Sequence, residues 1–473
     1  MTQDFAYMSA AALADGFRAK RFSPVEVADA MLARIDAINP VVNAVCFRDD
    51  ATARAMAKAS EARWMAGKSN GPLDGVPVVI KDVFYTKGWP TRFGSPVTDP
   101  AGPWIDDDPC VARLREQGAV FLGKTTLPEF ATSGTTDSPL TGVTVTPWDR
   151  TRHAGGSSGG TAATVASGIS PVSPGNDCAG SIRTPASFCG IFGFKPSFGR
   201  VPIYPGQDFG ATCSTGPIAR SVRDAALMMN VIAQPDVRDW LALPADGRDY
   251  LRGLEDGVRG LRIAVSADLG YSPYVDPEIE RIFRGAAESF AGLGANVEEA
   301  SPDFGDPLQS YDLFFPVVAA ALIRSLVPAE RLEELAPATR RLLDTAASIH
   351  ALDYTRALDE RRRVAVALAR FHAHYDLLLT PTDVVQPFDA RLELPPECEK
   401  FGSEMWETTT FPFNYSGQPA ASVLCGFTAA GLPVGMQIVG RRHDDAGVLR
   451  AARAFERAHD YADRRPPLPT PAR

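Results

Sequence analysis

No stretch of the chain approaches the ~20 consecutive apolar residues that a membrane-spanning helix needs. The opening segment, MTQDFAYMSAAALADG, lacks a basic stretch followed by an apolar one. It does not read as a secretory leader, so a cytoplasmic location and no membrane partner are expected. Histidine is scarce, with six among 473 residues. His372 and His374 form a close pair, but on a helix that spacing points the rings to different faces, so no metal site is expected. The seven cysteines (Cys46, Cys110, Cys178, Cys189, Cys213, Cys398 and Cys425) are scattered, with no CxxC pair. Neither a zinc ribbon nor a disulfide framework is indicated, and most should be small buried apolar residues. Positive charge is the minority sign, 48 Lys and Arg against 57 Asp and Glu. The net charge of −9 speaks against nucleic acid as a partner, because phosphate binding needs a basic face. There is no internal repeat and no linker rich in serine, proline or charge, which favours one domain over residues 1–473.

What is present alternates between helical and strand-like segments. Ser23, Pro24 and Glu26 form a capping box ahead of the apolar stripe Val27, Met31, Ile35 and Ile38, and Asn39-Pro40 should end that helix. With a helix before it and another at 51–66, residues 1–66 form an N-terminal helical part packing on the core. A buried strand ends at Lys81-Asp82 after the run Val76–Ile80. A lysine closing an apolar strand either reaches solvent or has a task. Further helices are expected at 108–117, 159–168, 221–233, 277–293, 330–374 and 445–459. Strands are expected at 118–122 and 375–382, with a pair within 421–440. The proline-rich end, 460–473, should be a loose tail. The class is α/β.

Residues 154–168, AGGSSGGTAATVASG, set Ser157 and Ser158 between two glycine pairs. A phosphate loop would need a Lys-Ser/Thr after the glycines, and none follows. Gly155-Gly156-Ser157-Ser158-Gly159 does fit the G-x-S-x-G of a nucleophile elbow. That elbow follows a buried strand, however, and PWDRTRHA is a polar loop. It would also need a downstream acid and histidine, with His350, His372, His374, His443 and His459 available. A third reading joins Lys81, Ser157 and Ser181 and needs no histidine. Burial can pull a lysine toward neutrality and make it a base. One serine can pass a proton to it from a second serine that acts as nucleophile. The loop DCAGS offers consecutive N–H groups suited to an oxyanion.

These blocks together resemble the amidase signature family. The resemblance is carried by GVPVVIKD (75–82), GKTTLPEFA (123–131), GGSSGG (155–160), GNDCAGSIR (175–183) and FCGIFGFKPSFGRVP (188–202). It continues through GPIARSVRDAA (216–226) and FPFNYSGQPAASVLCGFTAAGLPVGMQIVG (411–440). It spans nearly the whole chain, with 75–202 as the signature region. One departure lies in the loop before Ser181, where Ala179-Gly180 stands in place of the family's commoner Gly-Gly.

The resemblance implies a single α/β/α domain around a large, twisted, mixed sheet. It implies Ser181 as nucleophile, Ser157 as proton relay after a cis Gly156–Ser157 peptide, and Lys81 as base. The N–H groups of Cys178, Ala179, Gly180 and Ser181 would hold the oxyanion. Asp177 and Arg183 would orient the loop, and Ser158 would bond near Lys81. Ala131, Thr132 and Ser133 would line the acyl pocket, covered by the loop after Thr382 and by Phe413. Phe209, Trp406 and Tyr415 could add apolar surface there. The implied substrate is a small aryl or alkyl carboxamide, with anilides, esters and carbamates open to the same chemistry. Water is the second reactant, and no metal or organic cofactor is implied. A monomer or homodimer is expected. Two rivals remain. One is the glutaminase subunit of a tRNA-dependent amidotransferase, although 200–216 does not resemble that subunit's segment. The other is a non-catalytic binding protein on the same fold.

Overall fold

Ser23 starts the helix Pro24–Val42 as a capping box: its Oγ accepts from the Glu26 N–H (3.2 Å), and the Glu26 carboxylate accepts from the Ser23 N–H (2.7 Å). The computed structural model describes residues 4–102, 104–205, 209–461 and 464–468. The helix does not stop at Asn39-Pro40. Pro40 sits in its last turn, where the missing N–H forfeits a single bond, and the chain leaves the helix at Asn43 in a left-handed conformation. This helix and its neighbours Ala10–Arg18 and Asp50–Met65 form the N-terminal part.

The central sheet has eight strands. In spatial order they are Asn296–Glu299, Arg262–Val265, Leu377–Pro381, Pro433–Gly440, Ala420–Phe427, Phe192–Lys195, Ser214–Ala219 and Val172–Asp177. The first three pair in parallel and the remaining neighbours antiparallel, so the sheet is mixed. Helices cover both faces. On strand 433–440, a Cβ at Gly435 would meet Ser187 of helix Arg183–Cys189, and one at Gly440 would meet Val448 of helix Asp445–Ala458. Those glycines are an odd number of residues apart, so they face opposite sides of the pleat. The α/β class and the mixed sheet between helical layers are as expected.

Pro77–Lys81 is an edge strand of a second sheet. It pairs in parallel with Val120–Thr125, whose other neighbour is the antiparallel strand Val45–Phe47. Every residue of Pro77–Lys81 is buried. It abuts Val172–Asp177 through serine hydroxyls: Ser173 Oγ accepts from the Val79 N–H (3.0 Å), and Ser170 Oγ donates to the Pro77 carbonyl (3.0 Å). These bonds bring the end of one strand, Lys81, beside the end of the other, Asp177.

The strands at 45–47, 172–177, 192–195 and 214–219 were not expected, and other details also differ. The span 330–374 resolves into a 3-10 turn, Ala329–Glu334, and two helices, Pro337–Ser348 and Ala351–Phe371. A helix at Leu308–Leu326 and strands at 262–265 and 296–299 were not expected. The end of the chain is not loose over its described part: Tyr461 and Leu468 pack on the core, Pro466 is buried, and the Tyr461 hydroxyl donates to the Cys425 carbonyl (3.0 Å). Residues 462–463 and 469–473 of that segment lie outside the described residues. Among the described residues, no helix is long and apolar enough to cross a membrane.

Candidate active site

The glycine-serine loop joins Asp149–His153, a short and mostly polar strand where a loop was expected, to helix Gly159–Ala166. The strand pairs with Val145–Thr146 and is not a buried strand of the central sheet. Its glycines are needed for close approach. A Cβ at Gly156 would fall 2.6 Å from the Thr135 carbonyl carbon and oxygen, which are backbone and cannot turn aside. The Gly156–Ser157 peptide is cis. Thr136 ties the facing segment to the loop, donating to the Gly155 carbonyl (2.8 Å) and accepting from the Gly159 N–H (3.1 Å).

Lys81 is completely buried, so the alternative of a lysine reaching solvent falls away. Its Nζ lies 2.8 Å from Ser157 Oγ, 2.8 Å from Ser158 Oγ and 2.6 Å from Asn176 Oδ1. Burial pulls its pKa well below the ordinary lysine value, and the Asp177 charge opposes this only in part. The bonds can then be counted. Asn176 Oδ1 only accepts, and the Ser158 hydroxyl hydrogen goes to the Asn176 carbonyl (3.3 Å). A neutral amine therefore spends its two hydrogens on Asn176 and Ser158. In that form its lone pair would be left for Ser157, 2.8 Å away, whose hydroxyl could then donate to it.

Ser181 follows strand Val172–Asp177 by four residues. The Ser158 N–H donates to its carbonyl (3.2 Å), which holds the two serine loops together. The Ser181 hydroxyl makes no hydrogen bond to a described residue. Neither do the N–H groups of Cys178, Ala179, Gly180 and Ser181. The next three donors are occupied: Ile182 and Arg183 N–H point to the Asp177 carboxylate (3.2 and 3.4 Å), and Thr184 N–H to the Gly180 carbonyl (2.7 Å). Asp177 and Arg183 form a fully buried two-pronged pair (2.8 and 2.8 Å). Burial opposes ionisation of Asp177, but Arg183, Lys195 and the Asn414 amide together outweigh it and hold the carboxyl below its usual range. Arg183 also donates to Gln437 Oε1 (2.6 Å), Asn414 Oδ1 (2.6 Å) and the Thr410 carbonyl (2.9 Å). The loop is thereby fastened to strand Pro433–Gly440 and to the segment 410–414.

One cysteine expectation is corrected. Cys178 and Cys213 are joined as a disulfide. The antiparallel register pairs Asp177 with Ser214, so the next step sets residue 178 opposite residue 213. That register is invisible in sequence, where the two lie 35 residues apart. Cys110, Cys189 and Cys425 are buried free thiols, while Cys46 and Cys398 are partly exposed.

Segment 131–135 lies against the serine loops, with Ala131 in a left-handed conformation and the Ser133 hydroxyl 3.0 Å from that of Thr135. Thr132 Oγ1 turns back to the Glu129 carbonyl (2.9 Å). Phe413 has no exposed surface and belongs to the apolar cluster of Tyr311, Phe411 and Tyr415, so it supports the region rather than presenting a face. Phe209, Trp406 and Tyr415 are likewise almost fully buried. No histidine among the described residues bonds to Ser157 or Ser181. His153 reaches the Leu392 carbonyl and His372 the Tyr375 carbonyl, which removes the base an elbow would need. No cluster of metal-ligating residues occurs among the described residues.

Sequence reasoning missed Asn176, Thr184, Asp383 and Glu407. Asn176 had a signal: a polar residue inside GNDCAGSIR at the end of a buried strand. Glu407 had a fainter one, as the acid in the buried run WETTTF.

The amidase family model matches residues 26–449. An acylamidase of Rhodococcus erythropolis is 37% identical over 98% of both chains. A glutamyl-tRNA(Gln) amidotransferase chain of Myxococcus xanthus is 36% identical, covering 96% of this chain and 98% of that one. Among solved structures, a bacterial aryl acylamidase of the amidase signature enzymes superposes with a TM-score of 0.89 at 32% identity, over 97% of each chain. A 6-aminohexanoate cyclic dimer hydrolase gives 0.87 at 30% identity, over 98% of this chain and 99% of that one. With a family match across most of its length and relatives above 30% identity end to end, the chain belongs to the amidase signature family.

Proposed function

We propose that this protein is an amidase that hydrolyses the C–N bond of small aryl or alkyl carboxamides through an acyl-enzyme on Ser181. The observation that carries the reading is the buried Lys81, whose Nζ lies 2.8 Å from Ser157 Oγ while Asn176 and Ser158 hold it in place. In the proposed reaction Ser181 Oγ attacks the amide carbonyl. Its proton passes to Ser157 Oγ while the Ser157 proton passes to Lys81 Nζ. The carbonyl oxygen takes the negative charge among the N–H groups of residues 178–181, which have no partner among the described residues to give up. Collapse breaks the C–N bond, and the proton returns from Lys81 through Ser157 to the leaving amine. Water then attacks the acyl-enzyme by the same relay and releases the acid and Ser181. Esters, anilides and carbamates fit this scheme, since the relay serves any leaving group that accepts a proton. The proposal includes a small-molecule substrate, no cofactor, a monomer or homodimer, and a cytoplasmic setting.

Mapping the serine labelled by a small fluorophosphonate tests this reading. Label on Ser181, slowed in Lys81→Ala, supports it, whereas label on Ser157 that ignores Lys81 removes it. A second reading, the glutaminase subunit of a tRNA-dependent amidotransferase, is favoured by the 36% identity to a chain of such an enzyme. It requires glutamine to be the preferred amide and the chain to co-purify with partner subunits.

Asn176 gives a further test. Asn176→Asp places a carboxylate where an amide oxygen lies 2.6 Å from Lys81 Nζ. An anion there favours the ammonium form and raises the Lys81 pKa. The acidic limb of the kcat/KM profile should move to higher pH, with activity recovering as pH rises. An unmoved limb would mean that Lys81 is not the group titrating in it.

A further inference from the structure

Two carboxyl groups lie behind the turn that precedes Ser181. Asp383 follows strand Leu377–Pro381, and Glu407 sits in the loop before the short helix Pro412–Tyr415. Both are buried, with 2% and 6% of their surface exposed. Between them stands one hydroxyl: Thr184 Oγ1 lies 2.8 Å from Asp383 Oδ1 and 2.9 Å from Glu407 Oε1. That hydroxyl owns a single hydrogen, which satisfies one carboxylate. The two buried carboxyls share that one donor, so ionising both would set two adjacent carboxylates against a single hydrogen.

The surroundings also disfavour two ionised carboxylates. The charged groups facing the pair are Arg183 and Asp177, and Tyr311 on helix Leu308–Leu326 faces Glu407. Arg183 is committed to Asp177, Gln437, Asn414 and the Thr410 carbonyl, and Asp177 adds negative charge. The Ser187 hydroxyl also faces Asp383. Burial raises Asp383 to about 7; burial, then the neighbouring Asp383, raises Glu407 to about 8. Two carboxyls this close titrate as one unit.

The pair touches the turn directly. A Cβ on Gly180 would fall 2.7 Å from Glu407 Oε1 and 2.9 Å from Thr184 Oγ1, and one on Gly134 would fall 2.7 Å from Glu407 Oε2. Glycine at 180 thus lets the carboxyl press against the turn. Thr410 Oγ1 donates to the Ala179 carbonyl (2.6 Å), and the Thr184 N–H to that of Gly180 (2.7 Å). The residues that hold the pair also hold the turn.

We propose that Asp383 and Glu407 are a proton-sharing positioning pair that keeps the Ala179–Ser181 turn in its oxyanion-binding shape. This rests on the Ser181 reading above. With a proton held between them, the chain Asp383–Thr184–Glu407 is closed. When the last proton leaves, two adjacent carboxylates compete for one hydroxyl hydrogen and push apart, and the turn loses its backing. Activity should then fall on an alkaline limb that belongs to the pair and not to Lys81.

The kcat/KM profile of the wild type, Glu407→Gln and Asp383→Asn tests this, using an amide whose leaving amine does not titrate in the range. Either amide supplies a permanent N–H and cannot ionise. The alkaline limb should move up by about one pH unit or more, or vanish, while the acidic limb stays. An alkaline limb unmoved in both variants overturns the proposal, as does its absence from the wild type. Infrared spectroscopy of the resting wild type gives a readout independent of catalysis. A protonated-carboxyl C=O band should persist at neutral pH, disappear at alkaline pH and be missing in either variant. No such band at neutral pH overturns the pair even if Ser181 is the labelled serine. A band that behaves as described while Ser181 takes no label supports the shared proton and indicts the Ser181 reading instead.

Discussion

Ser181→Ala is expected to lower kcat by a factor on the order of 10⁵–10⁶, with little change in substrate affinity. The hydroxyl it removes has no bond to a described residue, so its loss leaves no buried polar partner stranded. Asp177–Arg183 still holds the loop, so the N–H groups of 178–181 should keep their direction. What disappears is the proposed nucleophile at the head of that loop. Ser157 cannot replace it, because its hydroxyl is bonded to Lys81 and set back along the relay. Single-turnover rates with an activated anilide, beside an inhibitor-binding measurement, separate chemistry from affinity. A variant keeping more than a tenth of wild-type kcat would place the covalent step elsewhere. Equal loss of inhibitor binding would mean that Ser181 shapes the pocket rather than reacting in it.

The parts of this site legible in sequence are those with short-range reasons. A lysine closing the strand Pro77–Lys81 has no packing purpose, so it stands out, and the structure buries it completely. Gly156, between a glycine and a serine, reads as a point of close approach, and the neighbour it approaches is the Thr135 backbone. Contacts made over long separations are not legible. Thr184 and Glu407 lie 223 residues apart, and nothing in WETTTF announces that its acid will share a hydroxyl with Asp383. The Cys178–Cys213 pairing depends on strand register, which composition does not reveal. The missed helix Leu308–Leu326 carries Pro316 inside an apolar run, and a proline there reads as a break. The missed strand Asn296–Glu299 lies at the sheet edge, where Glu298 and Glu299 remain exposed and no apolar alternation marks it.

Lys81→Ala should cost about 10³–10⁴ in kcat, the upper part of the range for a lost general base. The form of the loss is more telling than its size. In the wild type the rate should rise with pH until Lys81 is neutral, because only the free amine offers Ser157 a lone pair. In Lys81→Ala that acidic limb should vanish, and a small primary alkylamine added to the buffer should restore part of the rate. The restored rate should follow the concentration of amine free base, since the protonated form carries three donors and no acceptor. Rescue equal at all pH values would mean that Lys81 only fills space and donates hydrogen bonds. Stability supplies the complementary check. Burial lowers the pKa of Lys81 in the folded chain, while in the unfolded chain it returns to about 10.4. Between those values the unfolded chain binds the extra proton, so stability rises with pH in that window and falls as pH drops through it. Lys81→Met has no such proton. The wild type should therefore lose stability relative to Lys81→Met as pH is lowered from about 10 toward the folded value, measured by urea midpoints along the series. A parallel pH dependence in the two proteins would mean that Lys81 keeps its charge in the fold, and a charged Lys81 cannot accept the proton that the relay delivers.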